Sequence, residues 1–126
     1  MLITREESRF LGKVAFLGLW QGRFLESESI FNALRAANPE NIGPVLGLGM
    51  LHIHKGDYGK AAEILEKEAL RLNPEDAHAQ AWLGLALFRA GRKAEAAARL
   101  KKVLEDGNGE DSKALAKSLL DEIGAK

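Results

Sequence analysis

The stretch VLGLGMLHIHKGDYGKAAEIL, residues 45–65, returns 35 residues later as QAWLGLALFRAGRKAEAAARL, residues 80–100. Leu48-Gly49 becomes Leu83-Gly84, Gly56 becomes Gly91, and Ala61 and Leu65 become Ala96 and Leu100. Further out, Gln21-Gly22-Arg23-Phe24 places another turn-like glycine 34 residues before Gly56, and Asn38-Pro39-Glu40 is echoed by Asn73-Pro74-Glu75. Self-similarity at a period of this size marks an array of supersecondary units. Three units fit, at about 8–41, 42–76 and 77–108, inside one domain spanning 1–126.

Each unit carries an apolar-rich stretch before its glycine and a second helical stretch after it. In the second stretches Leu25, Ile30, Phe31 and Leu34 fall at helical spacing, as do Ile64, Leu65, Ala69 and Leu72, and then Ala96, Leu100, Val103 and Leu104. Lys60, Glu63, Glu66, Lys67 and Arg71 take the opposite side, as on a surface helix. No stretch alternates at period two, so no strand is predicted. Thr4 followed by Glu7 predicts a capping box at the first helix. Gly22, Gly56 and Gly91 suit left-handed helix ends, and Asn38 and Asn73 precede prolines that oppose continuation of a helix. After Gly107-Asn108-Gly109, Asp111 or Ser112 opens a final helix over about 111–123, with Leu115, Leu119 and Ile123 on one stripe. An array needs such a terminal cap, apolar toward the stack and polar toward water. The prediction is all-α: a solenoid of three helix-turn-helix repeats and a capping helix, seven helices in total.

Composition removes several function classes. The 126 residues have no cysteine, which excludes a disulfide scaffold, a cysteine-ligated zinc site and thiol catalysis. Lys and Arg number 18, as do Asp and Glu, so the chain lacks the charge of a nucleic-acid binder. The longest stretch without formal charge, Asn41 to His54, has 14 residues, too short to cross a bilayer. Glu6 and Glu7, with Lys13 inside the apolar run from Phe10 to Trp20, oppose a secretory signal. The expectation is a cytoplasmic protein without membrane insertion.

The repeat resembles the tetratricopeptide repeat, whose signature is W-x2-L-G-x2-Y, then A-x3-F, then P. The second unit supplies Val45, Leu48-Gly49, His52, Ala61, Leu65 and Pro74. The third supplies Gln80, Leu83-Gly84, Leu87, Ala96 and Leu100, with Asn108 where proline is common. The first is more degenerate, with Leu11, Val14-Ala15, Gly18, Ser27, Phe31 and Pro39. One extra residue near Glu68 predicts a bulge or a longer exit in the second unit's second helix. The resemblance implies a protein-binding solenoid whose first helices line a concave face. One family use is a carboxylate clamp of Lys, Asn and Arg; here Gly12, Phe16, Gly47, His78 and Trp82 hold the matching places and exclude it. Three short repeats with an apolar inner face also look like the cytoplasmic chaperones of bacterial type III secretion, which shield self-assembling subunits before export.

The first helices are apolar on more than one side. Val14, Leu48, Leu83 and Leu87 are expected to face the partner helix within each repeat. A second stripe holds Phe16, Leu19 and Trp20, then Leu46, Met50 and Ile53, then Trp82, Leu85 and Phe88, and by the resemblance it faces the groove. Arg9, His54, His78 and Arg89 form its polar edge, with Gly12 and Gly47 on the inner face. The competing reading packs this stripe between repeats, because helices apolar all round are usually core. The two glycines signal either close approach by a ligand or tight packing against a neighbouring repeat.

No catalytic motif is visible. His52 and His54 point to different faces of one helix and cannot chelate one metal together. Gly56-Asp57-Tyr58-Gly59-Lys60-Ala61 lacks the spacing of a phosphate loop. Arg89, Arg92, Lys93, Arg99, Lys101 and Lys102 form a basic cluster best read as a solvated face. The expectation is a non-enzymatic module without cofactor or metal, binding an apolar or amphipathic helix of a partner protein as adaptor or chaperone. The alternative is a homo-oligomeric scaffold whose apolar face is buried between copies.

Overall fold

Thr4 opens the first helix as predicted: its Oγ1 accepts from the Glu7 N–H at 3.0 Å, and the Glu7 side chain accepts from the Thr4 N–H at 3.0 Å. Those bonds hold the Glu7 carboxyl below its ordinary pKa. The computed structural model describes residues 4–106 and 109–124. Gly107 and Asn108, the expected end of the third repeat, lie outside the described residues. Among the described residues the helices are α1 Arg5–Trp20, α2 Phe24–Ala37, α3 Ile42–His54, α4 over 58–72, α5 Ala77–Arg89, α6 Lys93–Asp106 and α7 Glu110–Ile123. Consecutive helices pair as α1–α2, α3–α4 and α5–α6, and α7 packs on α5 and α6. This is the predicted solenoid of three helix pairs and a cap, without strands among the described residues.

The three turns share one hydrogen-bond pattern. Gly22 donates to the Leu19 carbonyl and Arg23 to Gly18, Gly56 to Ile53 and Asp57 to His52, Gly91 to Phe88 and Arg92 to Leu87. At each, the glycine has a positive φ, +81° at Gly56, so the left-handed residue closes the last turn of the helix. Side chains then start the second and third pairs: Asn41 Oδ1 accepts from the Gly43 N–H at 3.0 Å, and Asp76 Oδ1 from the Ala79 N–H at 2.8 Å. α7 starts at Glu110 rather than at Asp111 or Ser112, directly after Gly109 at φ +116°.

The extra residue near Glu68 becomes a π-helical turn, Leu65–Ala69, inside α4. The wider turn sends Glu66 and Glu68 to opposite neighbours. Glu68 meets Arg35 of α2 at 2.8 Å, and Glu66 meets Arg99 of α6 at 3.2 Å. Both pairs are partly exposed, so each contributes only about 0–1 kcal/mol.

The core runs through all three pairs. Leu48, Leu83 and Leu87 are buried against their partner helices, as expected. Val14 is not, at 39% exposed; Ala15 and Leu19 fill the equivalent interior of the first pair. Val14 lies instead on a face of α1 with Phe10 and Leu17, which are also exposed among the described residues. Leu25 is likewise 76% exposed, whereas its neighbour Phe24 packs against the core. Leu104 also keeps part of its surface exposed. At the other end α7 buries Ala116, Leu119 and Leu120, with Leu115 and Ile123 half-buried beside them.

His52 is a buried polar group in this core. Its Nε2 lies 3.7 Å from Glu28 and its Nδ1 makes no hydrogen bond to the described residues. Burial holds its pKa below the ordinary 6.5, with Lys60 and Lys55 acting in the same direction and Glu28 and Asp57 against it.

Two predictions follow from turns and core. Gly56→Val should cost about 1 kcal/mol or more, since a β-branched residue is strained at positive φ. Gly59→Ala, inside α4 with nothing within 4 Å of the added Cβ, should be neutral or stabilising. Urea melts giving the reverse order would contradict the turn assignment. For His52, the unfolded chain takes a proton near pH 6.5 and the folded chain only at lower pH, so stability should fall as pH drops through 6.5. Comparing melts at neutral and mildly acidic pH, the loss should be smaller in His52→Gln; equal losses would remove His52 from the pH response.

Candidate functional site

Three of the residues expected on the inner face have no useful surface. Leu19 is buried between α1 and the rest of the core, Gly47 is buried, and Met50 is only 9% exposed. For these the packing reading holds. Gly47 is filled by its neighbour: an added Cβ would stand within 2.7 Å of three atoms of the Phe31 ring. Gly12 is the opposite case, with nothing within 4 Å of the equivalent point. The same glycine signal thus has two causes, tight packing at Gly47 and open space at Gly12.

The remaining expected residues keep surface to different degrees. Phe16, Leu46, Ile53, Trp82, Leu85 and Phe88 are half-buried, and Arg9, Trp20, His54, His78 and Arg89 are exposed. They do not form one even groove. Trp82, Leu85 and Phe88 pack partly against the cluster shared by α5, α6 and α7. His78 is drawn to the cap, with Nδ1 3.3 Å from Ser112 Oγ and its ring 5.8 Å from that of Trp82. Arg89 lies over the Phe88 ring at 5.8 Å. The capping helix therefore takes up part of the third repeat's inner stripe.

The open part lies on the first two repeats. Trp20 is 61% exposed, with its ring edge-on to His54 at 4.7 Å, so the C-terminal ends of α1 and α3 present an aromatic pair. Toward the other end of the same helices a cavity of about 570 Å³ opens between α1, α2 and the start of α3. Arg5, Ser8, Arg9, Gly12 and Phe16 line it from α1, Phe31, Leu34 and Ala37 from α2, and Asn38, Asn41, Gly43 and Pro44 from the connection and α3. Phe16 and Phe31 meet edge to face at 5.0 Å and form its aromatic floor.

The sequence reading found Arg9, Gly12 and Phe16 of this cavity and missed Arg5, Ser8 and the wall from α2. Arg5, Arg9, Gly12 and Phe16 recur at helical spacing, and extending the inner stripe one turn toward the N-terminus reaches Arg5. The α2 wall carries no such signal, because it depends on Phe31 reaching past its own pair. Ser27 has a structural role: its Oγ donates to the buried Ala15 carbonyl at 2.7 Å, tying α2 to α1.

No curated protein matches the chain significantly in sequence. In fold it is similar to the type III secretion translocator chaperone SycD of Yersinia enterocolitica, with TM-score 0.84 and 23% identity over 96% of this chain and 94% of that one, in a structure described as an alternative dimer. A second SycD structure gives TM-score 0.84 and 21% identity, covering 98% of this chain and 92% of that one. SycD in complex with a peptide of the translocator YopD gives 0.81 and 22%, covering 96% and 95%. At such identities the likeness is one of fold. The family described as Tetratricopeptide repeat matches residues 19–69 and 46–112, and together with the three glycine-closed helix pairs this establishes that the chain belongs to the tetratricopeptide repeat family.

Proposed function

We propose that the chain is a protein-binding module whose inner face holds an apolar or amphipathic segment of a partner, as a chaperone for a secreted, self-assembling subunit. The observation that carries the reading is the open aromatic surface of the first two repeats, with Trp20 exposed beside His54 and the cavity floored by Phe16 and Phe31. Apolar surface grouped in a concavity with a few polar groups is the usual form of a binding site. The fold neighbour SycD, described as a translocator chaperone and seen with a YopD peptide, supports the choice of a peptide over a small molecule. Self-association as the function itself is less well supported. The face bearing Phe10, Val14 and Leu17 is a surface on which a second copy could pack while leaving the groove free.

Met50 is buried, so a substitution there tests the core rather than the groove. Met50→Glu would force a charge into a buried position and unfold the chain whatever the groove does. Trp20→Glu places the charge in water, so the cooperative melt should be retained. A partner recovered with the unmodified protein should then bind at least about thirtyfold more weakly, the loss of a central aromatic contact of about 2 kcal/mol. Trp20 emission should shift to the blue when that partner is added. A folded Trp20→Glu variant that binds the partner unchanged would contradict the groove at this position.

A further inference from the structure

We propose that the cavity on α1 is a subsite for an acidic side chain standing next to an apolar one in the partner segment, with Arg5 and Arg9 holding the carboxylate. It deepens the groove reading and rests on it. Arg5 and Arg9 are one helical turn apart on the cavity wall, and Gly12 and Phe16 continue the same face. Among the described residues no carboxylate is paired with either guanidinium, and no acidic residue lines the cavity. Glu6 and Glu7 of the same turns lie outside the cavity lining, so the charge facing the cavity is that of the two arginines.

Two like charges one turn apart on a helix repel, and a carboxylate between them removes that cost. The guanidinium fork also matches a carboxylate's two oxygens, which a lysine pair would not do. Beneath the arginines the floor is apolar, and the missing side chain at Gly12 leaves space for a ring or a branched aliphatic group. An occupant must therefore offer negative charge at the mouth and apolar bulk below it. Phe16 on the cavity and Trp20 lie one helical turn apart on α1, so a segment reaching both supplies the charge from an internal side chain rather than from its C-terminus.

Acetylated, amidated dipeptides separate these requirements by amide chemical-shift titration of the full chain. One carries glutamate before phenylalanine, one glutamine, one lysine, and a fourth is the glutamine peptide with a free C-terminal carboxylate. The glutamate peptide should shift the Gly12 and Gly43 amides and bind about fivefold more tightly than the glutamine peptide, the gain of an exposed charged pair. That gain should shrink at high salt and vanish in Arg5→Gln/Arg9→Gln. Equal affinity for the glutamate and glutamine peptides at Gly12 and Gly43 would overturn the acidic preference while leaving the apolar groove standing. A gain only with the free C-terminal carboxylate would overturn the internal side chain. Failure of every peptide to shift these amides would remove the cavity as a site, and partner binding through Trp20 would then be judged separately.

Discussion

The helices of this array are held together by contacts in which one side offers no side chain and the other a large one. An added Cβ at Gly49 would stand 2.6 Å from Leu65, and Gly84 stands in the same relation to Leu100. These are the glycine and large apolar positions of the repeat signature, so the sequence motif and the packing contact are one fact. Close helix approach also explains why such glycines persist inside helices at about 1 kcal/mol each against alanine. The surroundings are close-packed, and an extra methyl has nowhere to go.

The first pair departs from this pattern, and the candidate site is the consequence. Ala15 stands where the other repeats have glycine, and Phe31 where they have leucine. With a methyl in the way and a larger ring to place, Phe31 reaches into the space left by Gly47 of the next repeat and meets Phe16 edge-on at 5.0 Å. One ring thus joins two repeats and forms the floor of the cavity above it. α7 acts at the opposite end, packing beside Trp82, Leu85 and Phe88. The open cavity thus lies beside α1, away from the capping helix.

What the sequence reveals is whatever a local rule specifies. The glycine turns, the Thr4–Glu7 capping box and the π turn in α4 each follow from a residue's own backbone preference or from counting residues against the repeat. What it conceals depends on the neighbour. Val14 and Ala15 are adjacent and both apolar, and only the packing of α1 on its neighbours decides which of the two is buried. Gly12 and Gly47 look alike in sequence, yet one faces open space and the other Phe31. Met50 belongs to the inner stripe by periodicity, but close packing of the second repeat buries it. The α2 side of the cavity was beyond reach because it is created by one ring crossing between repeats.

The claim that Phe31 and Gly47 occupy one shared space is tested most directly by a double-mutant cycle in urea. Gly47→Ala should destabilise the fold by about 1–3 kcal/mol, the cost of overpacking, although alanine is the better helix former. Phe31→Leu should also destabilise it, by removing buried ring surface. With the ring gone the added methyl has room, so the double variant should be more stable than the sum of the single losses by about 1 kcal/mol or more. Additive losses, or a Gly47→Ala variant more stable than the parent, would contradict the shared space and the account of the cavity floor built on it.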